Sequence, residues 1–211
     1  MAFGPATCIT PLAKGTDMSN PTRLAIIEGS TREQRQGENV SAWFLNHVRQ
    51  NPRFDTDLIK LVEIDFDIVQ SPHHPRTGNY SAGVQAFADR VAAADAFAFV
   101  TPEYNHSFPA SLKQALDSCY AEWNGKAAVI VSYGGLSGGV RAAEQLRPVL
   151  AGLAVATMRD SISVTSVATH FPPDSPPIEL EGVEKAAASL LMELDWWAQA
   201  LAAKRAVDPY P

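Results

Sequence analysis

Two rhythms of apolar positions alternate along this chain. Short continuous runs, the pattern of strands buried on both faces, occur at Leu24–Ile27, Ala96–Thr101 and Lys126–Ser132. Two further segments, Asp57–Ile64 and Val155–Val167, carry enough Leu, Ile, Val and Thr to predict a second and a fifth strand. Between them apolar residues recur every three or four positions, the spacing of one helical face. Val40, Trp43, Phe44, His47 and Val48 predict the first helix, and Val84, Phe87, Ala88 and Val91 the second. Leu112, Ala115, Leu116 and Cys119 predict a third behind Pro109, which suits a first helical turn. Val140–Leu153 predicts a fourth, which Pro148 should kink or shorten. Val183, Ala187, Leu190, Leu191, Leu194, Trp197 and Leu201 predict the last. Strands alternating with helices imply a parallel sheet with right-handed crossovers and helices on both faces, an α/β three-layer sandwich. The expected strand order is 2-1-3-4-5, with the ligand crevice between strands 1 and 3.

The loops after strands 1, 3 and 4 are richer in chemistry than ordinary turns. Glu28–Glu38 leads through Gly29-Ser30 into the first helix and carries Arg32 and Arg35. Unsatisfied N–H groups near Asn39-Val40 at the helix start, with two arginines, suit a phosphate. The loop contains neither Gly-Lys-Ser/Thr nor Gly-x-Gly-x-x-Gly, so it is not a triphosphatase or dinucleotide loop. After strand 3 comes Pro102-Glu103-Tyr104-Asn105-His106-Ser107, in which Pro102 ends the strand. After strand 4 comes Ser132-Tyr133-Gly134-Gly135-Leu136-Ser137-Gly138-Gly139, whose glycines permit close backbone approach to a ligand. In the expected strand order all three loops meet at one crevice.

Thr101-Pro102-Glu103-Tyr104-Asn105 with Pro109 and Leu112-Lys113, the Gly29-Ser30-x-Arg32 loop and the Ser132-Tyr133-Gly134-Gly135 loop together resemble the NADPH-dependent FMN reductase family, the flavodoxin-like group that includes quinone, azo-dye and chromate reductases. The resemblance spans roughly residues 23–164. It implies a flavodoxin-like fold and a bound FMN. The FMN phosphate would lie on Ser30, Arg32, Arg35 and the backbone near Asn39-Val40. Its ring would lie against Pro102, Glu103, Tyr104 and Asn105. The backbone of Ser132, Tyr133, Gly134, Gly135 and Gly138 would face the pyrimidine edge. The resemblance further implies NADPH or NADH as hydride donor, a small-molecule acceptor such as a quinone, a free flavin or an azo compound, and a homodimer or homotetramer. No side chain need act as acid or base, because the cofactor carries the hydride chemistry. The chain departs from the commonest family pattern at His106, where glycine is frequent, at Gln114 and at Asp117-Ser118. His106 is therefore expected on the substrate side.

Composition narrows the alternatives. A chain of 211 residues with 46% hydrophobic content and a formal net charge of −6 reads as one domain, residues 21–206, and not as a nucleic-acid binder. No apolar run is long enough to span a bilayer. Residues 1–20 read as a mobile tail without a signal peptide, and 207–211 as a short tail, so a cytoplasmic setting is expected. Cys8 and Cys119 are too few for a disulfide framework, and His73-His74 lacks a third ligand, so no metal site is expected. Two rival readings remain. One is a flavin-binding sensor without turnover. The other is a hydrolase, in which Gly135-Leu136-Ser137-Gly138-Gly139 supplies a nucleophile and Asp160 and His170 follow in the appropriate order. The Trp196-Trp197 pair and the long Phe66–Tyr80 connection offer surface for a second copy.

Overall fold

The computed structural model describes residues 20–172, 177–178 and 180–211. The expected N-terminal tail, with Cys8, and residues 173–176 of the proline-rich loop after His170 lie outside the described residues. Six strands form one sheet: β1 (Thr22–Glu28), β2 (Phe54–Lys60), β3 (Ala96–Pro102), β4 (Lys126–Tyr133), β5 (Val155–Thr157) and β6 (Ile162–Val164). The path is β2-β1-β3-β4-β5, and β6 also pairs with β4; every pairing is parallel. The flavodoxin-like order is thus present, with β1 and β3 flanking the point where the winding reverses.

Two strands differ from expectation. β2 begins at Phe54, earlier than the predicted Asp57, and ends at Lys60, where Leu61–Glu63 turns into a 3-10 helix. Its register runs Thr22↔Phe54 to Glu28↔Lys60, so it begins and ends with its only neighbour. As an edge strand it tolerates exposed Asp55 and Asp57, which interrupt the apolar signal. The predicted single strand Val155–Val167 is two short segments. β4 advances three residues, from Ala128 to Val131, while its neighbour advances five, from Thr157 to Ile162. The excess bulges outward at exposed Arg159 and Asp160, and Arg147 holds the excursion through the carbonyls of Met158 and Arg159. Val167 belongs to the short helix α5, defined below.

Helices α1 (Gly37–Arg49) and α6 (Glu181–Val207) cover one face of the sheet, and α2 (Ala82–Ala93), α3 (Ala110–Ser118) and α4 (Val140–Gly152) the other; α5 (Val167–His170) is a single turn after β6. α4 continues through Pro148 to Gly152, so the proline does not shorten it as expected. The two faces follow the alternation of the strands. Leu24, Ile26, Ala98 and Val100 point towards α1 and α6, and Ala25, Ile27, Phe97 and Phe99 towards α2–α4. Buried Asp195 ties α6 to the sheet by accepting from Thr22 Oγ1 at 2.7 Å and from Arg53 at 2.8 Å. Among the described residues no helix is long and apolar enough to cross a membrane.

The second face is centred on Trp123, fully buried against Phe87, Phe97 and Phe99 with ring centroids 4.9–6.1 Å apart. Trp123→Ala is expected to lower stability by about 3–5 kcal/mol, the range for removing a buried aromatic. Chemical denaturation would measure it.

Candidate active site

The loops after β1, β3 and β4 leave the sheet side by side at its carboxyl edge. The first is shaped by a buried charge. Glu28, the last residue of β1, is fully buried. Its carboxylate accepts from Arg35 Nε at 2.5 Å and from Ser41 Oγ at 2.7 Å. The Arg35 side chain, 9% exposed, also donates to Glu38 at 2.6 Å and to the Arg32 carbonyl at 3.5 Å. Burial alone would lower the Arg35 pKa, but the Glu28 and Glu38 carboxylates outweigh it and hold the pKa above the ordinary arginine value. Every nitrogen of the Arg35 guanidinium therefore already has a partner inside the loop. Arg32 points the other way. Its backbone N–H donates to Ser30 Oγ at 3.4 Å and its exposed guanidinium lies 4.3 Å over the Tyr104 ring. Helix α1 starts at Gly37 without a side-chain cap, and the N–H groups of Gly37, Glu38 and Asn39 have no partner among the described residues, whereas that of Val40 donates to the Gln36 carbonyl at 3.1 Å. Asn39 is exposed and bonds Gln36 at 3.1 Å. Val40 sends its side chain into the core and its N–H to Gln36, so it offers a ligand no free donor, contrary to expectation.

The second loop is a tight hairpin. Tyr104 and Ser107 exchange two backbone hydrogen bonds at 2.8 and 3.0 Å around Asn105 and His106. Both central residues are left-handed, with φ of 51° and 67°. This is the backbone that glycine adopts freely, which explains why a glycine at position 106 would suit the turn. His106 takes it instead, and both Asn105 and His106 project exposed side chains. Beneath them Tyr104 Oη shares a 2.7 Å hydrogen bond with buried Ser30, joining the first loop to the second. Pro102 is buried and registers with Tyr133.

The third loop is locked to the second by Glu103. This carboxylate, 9% exposed, accepts from Arg141 Nη1 at 2.7 Å, from the Arg141 backbone N–H at 3.2 Å and from Ser137 Oγ at 3.1 Å. Burial would raise the Glu103 pKa; the Arg141 and Ser137 bonds more than offset it and hold it below the usual carboxylate value. Within the loop, Gly138 and Gly139 have φ of 59° and 82°, and a Cβ at Gly138 would meet Ser163 Oγ at 2.3 Å. Buried Ser132 donates to the Gly138 carbonyl at 2.9 Å. The N–H of Gly134 is used by Val164 and that of Gly138 by Gly135. Those of Gly135, Leu136 and Ser137 have no partner among the described residues. Tyr133 Oη is buried without a hydrogen-bond partner, and a Cβ at Gly37 would lie 2.7 Å from it. Burial pushes its pKa up, with Tyr104 and Glu28 adding to the push and Ser30 and Arg35 opposing it.

The sequence reasoning did not single out Arg141, Glu28 or Ser41. The hydrolase trio is not assembled. Ser137 bonds Glu103, Asp160 pairs with Arg159 at 3.1 Å, and a His170 ring nitrogen meets the Ile178 carbonyl at 3.1 Å. No histidine is hydrogen-bonded to Ser137, and the carboxylate that it meets, Glu103, is already engaged by Arg141.

The Glu103 latch gives a prediction with a definite sign. Its folded-state pKa is depressed, so its stabilisation is present above the unfolded value, about 4.3, and is lost as pH falls through the lower folded value. Acid titration of stability from pH 5 downward should be steeper for the native chain than for Glu103→Gln. Parallel curves would show that the latch contributes nothing.

Comparison with known proteins agrees with this architecture. The family model described as NADPH-dependent FMN reductase matches residues 22–169. An NAD(P)H-dependent FMN reductase of Schizosaccharomyces pombe is 37% identical over 120 residues, 56% of this chain and 60% of the yeast protein. The NAD(P)H-dependent FMN reductase LOT6 of Saccharomyces cerevisiae is 33% identical over 143 residues, 62% of this chain and 74% of the relative. Among solved structures, the apo form of the NADH:FMN oxidoreductase EMOB superposes with a TM-score of 0.65 at 22% identity, covering 82% of this chain and 90% of that one, which attests the fold. With the matched region reaching across β1 to α5, the chain belongs to the NADPH-dependent FMN reductase family.

Proposed function

We propose that the chain is an FMN-dependent NAD(P)H oxidoreductase that passes electrons to a quinone, a free flavin, an azo compound or a similar small acceptor. The observation that carries this reading is the pairing of two sets of unpartnered backbone donors on either side of an aromatic hairpin. One set is the start of α1, with Arg32 beside it; the other is Gly135–Ser137. FMN has that outline: a phosphate, a flat ring and a polar pyrimidine edge. The buried, unpartnered Tyr133 hydroxyl beside Gly37 supports a polar ligand there. In this reading Ser30, Arg32 and the first-turn backbone of Gly37, Glu38 and Asn39 hold the phosphate. Arg35 acts through the loop, since Glu28 and Glu38 already engage it. Pro102, Tyr104 and Asn105 flank the ring. Glu103 fixes the distance between the hairpin and the loop of Ser132, Tyr133, Gly134, Gly135 and Gly138. The cofactor, when bound, accepts and donates the hydride.

Removal of the Arg32 charge isolates the phosphate contact. Arg32→Ala should weaken FMN binding by about 1.5–3 kcal/mol, the range for a hydrogen bond to a charged group. Riboflavin binding should hardly change. Fluorescence titration of both flavins decides it, and equal weakening would assign Arg32 a structural role only.

One crevice must serve donor and acceptor in turn, so initial rates should give parallel double-reciprocal lines. Failure of NADPH and NADH to bleach the bound flavin under anaerobic conditions would favour the sensor. His106 stands at the rim in a backbone state that disfavours it. His106→Gly should therefore raise stability by about 1 kcal/mol and change acceptor preference more than the rate of flavin bleaching. Stopped-flow absorbance with a panel of quinones separates the two effects.

A further inference from the structure

The amino edge of the sheet lies about 23 Å from the crevice along the eight residues of β4. A hollow of about 980 Å³ opens there among the ends of α2, α4 and α6. Its most buried charge is Lys126, the first residue of β4, which is 6% exposed. The Lys126 ammonium donates to the Val91 and Ala92 carbonyls, in the last turn of α2, at 2.7 and 3.0 Å. An ammonium has three N–H groups, so one is left over. Among the described residues no carboxylate forms an ion pair with it. Arg205 also lines the hollow. It donates to the Gly125 carbonyl at 2.5 Å and reaches one carboxylate, Asp95, at 3.6 Å. Arg23 already holds that carboxylate at 3.1 Å. Burial pushes the Lys126 pKa down to about 8, with Arg205 and Arg23 adding to the push and Asp95 and Glu122 opposing it. Burial lowers the Arg205 pKa too, against Asp95 and with Arg23. Buried charges are ordinarily paired. Here cations crowd one another in a chain whose net charge is −6, so the hollow is locally short of negative charge. Glu122 does not supply it, because its oxygens accept from the Tyr80 hydroxyl and the Tyr120 N–H, each at 3.0 Å.

We propose that this hollow binds a small aromatic carboxylate. Lys126 and Arg205 supply the charge. The donors they have left are few, which suits the two oxygens of a carboxylate better than the three of a phosphate. The remaining lining suits a flat ring. Tyr120 is fixed by Arg76, whose guanidinium lies 4.9 Å over its ring and bonds its hydroxyl at 3.0 Å. Tyr210 lies on Gly125, where a Cβ would come within 3.1 Å of it. Ala92, Ala151 and Ala154 leave space beside the two rings. The volume falls at the upper end of the range for small-molecule sites, about 300–1,000 Å³. Arg205 and Tyr210 lie beyond residues 22–169, so the hollow is completed by residues outside the matched family region.

The inference is independent of the reductase reading. Benzoate titrated into the full chain at constant ionic strength, with or without FMN, should bind saturably with half-saturation at about 0.1–10 mM, the range of small fragments. In NMR spectra it should move the amide signals of Gly125, Lys126 and Ala154 and leave those of residues 134–138 in place. Benzyl alcohol keeps the ring without the charge and acetate the charge without the ring; each should bind at least about tenfold more weakly than benzoate. Arg205→Gln should weaken benzoate by at least about tenfold, the effect of losing a hydrogen bond to a charged group, with an unchanged circular dichroism spectrum. Lys126→Met should do the same, and Arg205→Gln decides alone where Lys126→Met fails to fold. No saturable binding up to about 50 mM, or binding indifferent to Arg205→Gln, would overturn the proposal. Signals that move only at residues 134–138 would overturn the location. Acetate or inorganic phosphate binding as tightly as benzoate would overturn the aromatic carboxylate.

Discussion

The buried carboxylate of Glu28 sets the geometry of the crevice. It ends β1 inside the protein, where an unpaired charge is not tolerated, and breaking such a pair typically costs about 3–5 kcal/mol. Arg35 and Ser41 must come to it, one from the loop and one from the first turns of α1. The eight residues between Glu28 and Gly37 are thereby folded back over the end of β1. Arg32 is left facing outward, and the start of α1 is held against Tyr133. The positive charge available to a ligand is thus set by a neighbouring negative charge that consumes one arginine and spares the other.

At the end of β3, Glu103 has a similar role. It draws Arg141 and Ser137 towards it and so fixes the third loop against the second. Two carboxylates therefore brace a site proposed to take an anion. Their repulsion of that anion is offset because each is already paired with an arginine. What faces outward is mostly backbone N–H, whose direction is fixed by the fold and needs no side-chain ordering when a ligand arrives.

Much of this was legible in the sequence, for identifiable reasons. The apolar runs of β1, β3 and β4 stand out because those strands are covered on both faces. β2 was displaced because edge position lets Asp55 and Asp57 sit among its exposed positions. The break between β5 and β6 falls at Met158, Arg159, Asp160 and Ser161, none of them β-branched or aromatic, but the Val, Thr and Ile on either side carry a strand signal strong enough to bridge so short a gap. The loops that gather at the crevice followed from strand order alone. The ionic braces did not. Arg35 and Arg141 look alike in a sequence, and only the tertiary arrangement decides that one closes on Glu28 and the other on Glu103, 38 positions away.

His106 illustrates how a departure from a pattern acquires a physical meaning. From the family resemblance it marked a departure from a frequent glycine and was expected on the substrate side. In the structure it is the second left-handed residue of a two-residue turn, held by both hydrogen bonds of the Tyr104–Ser107 bridge. Strain of this kind persists only where the flanks are over-determined. Here they are: Tyr104 is anchored through Ser30, Glu103 through Arg141, and Pro109 begins the helix that follows. The turn therefore presents an imidazole at the rim of the crevice without freedom to retract. In the proposed reading a side chain so placed would alter the shape and polarity met by an incoming acceptor while leaving the bracing beneath it untouched. The proposed reading thus separates selectivity, at the tip of the hairpin, from cofactor retention, at its base.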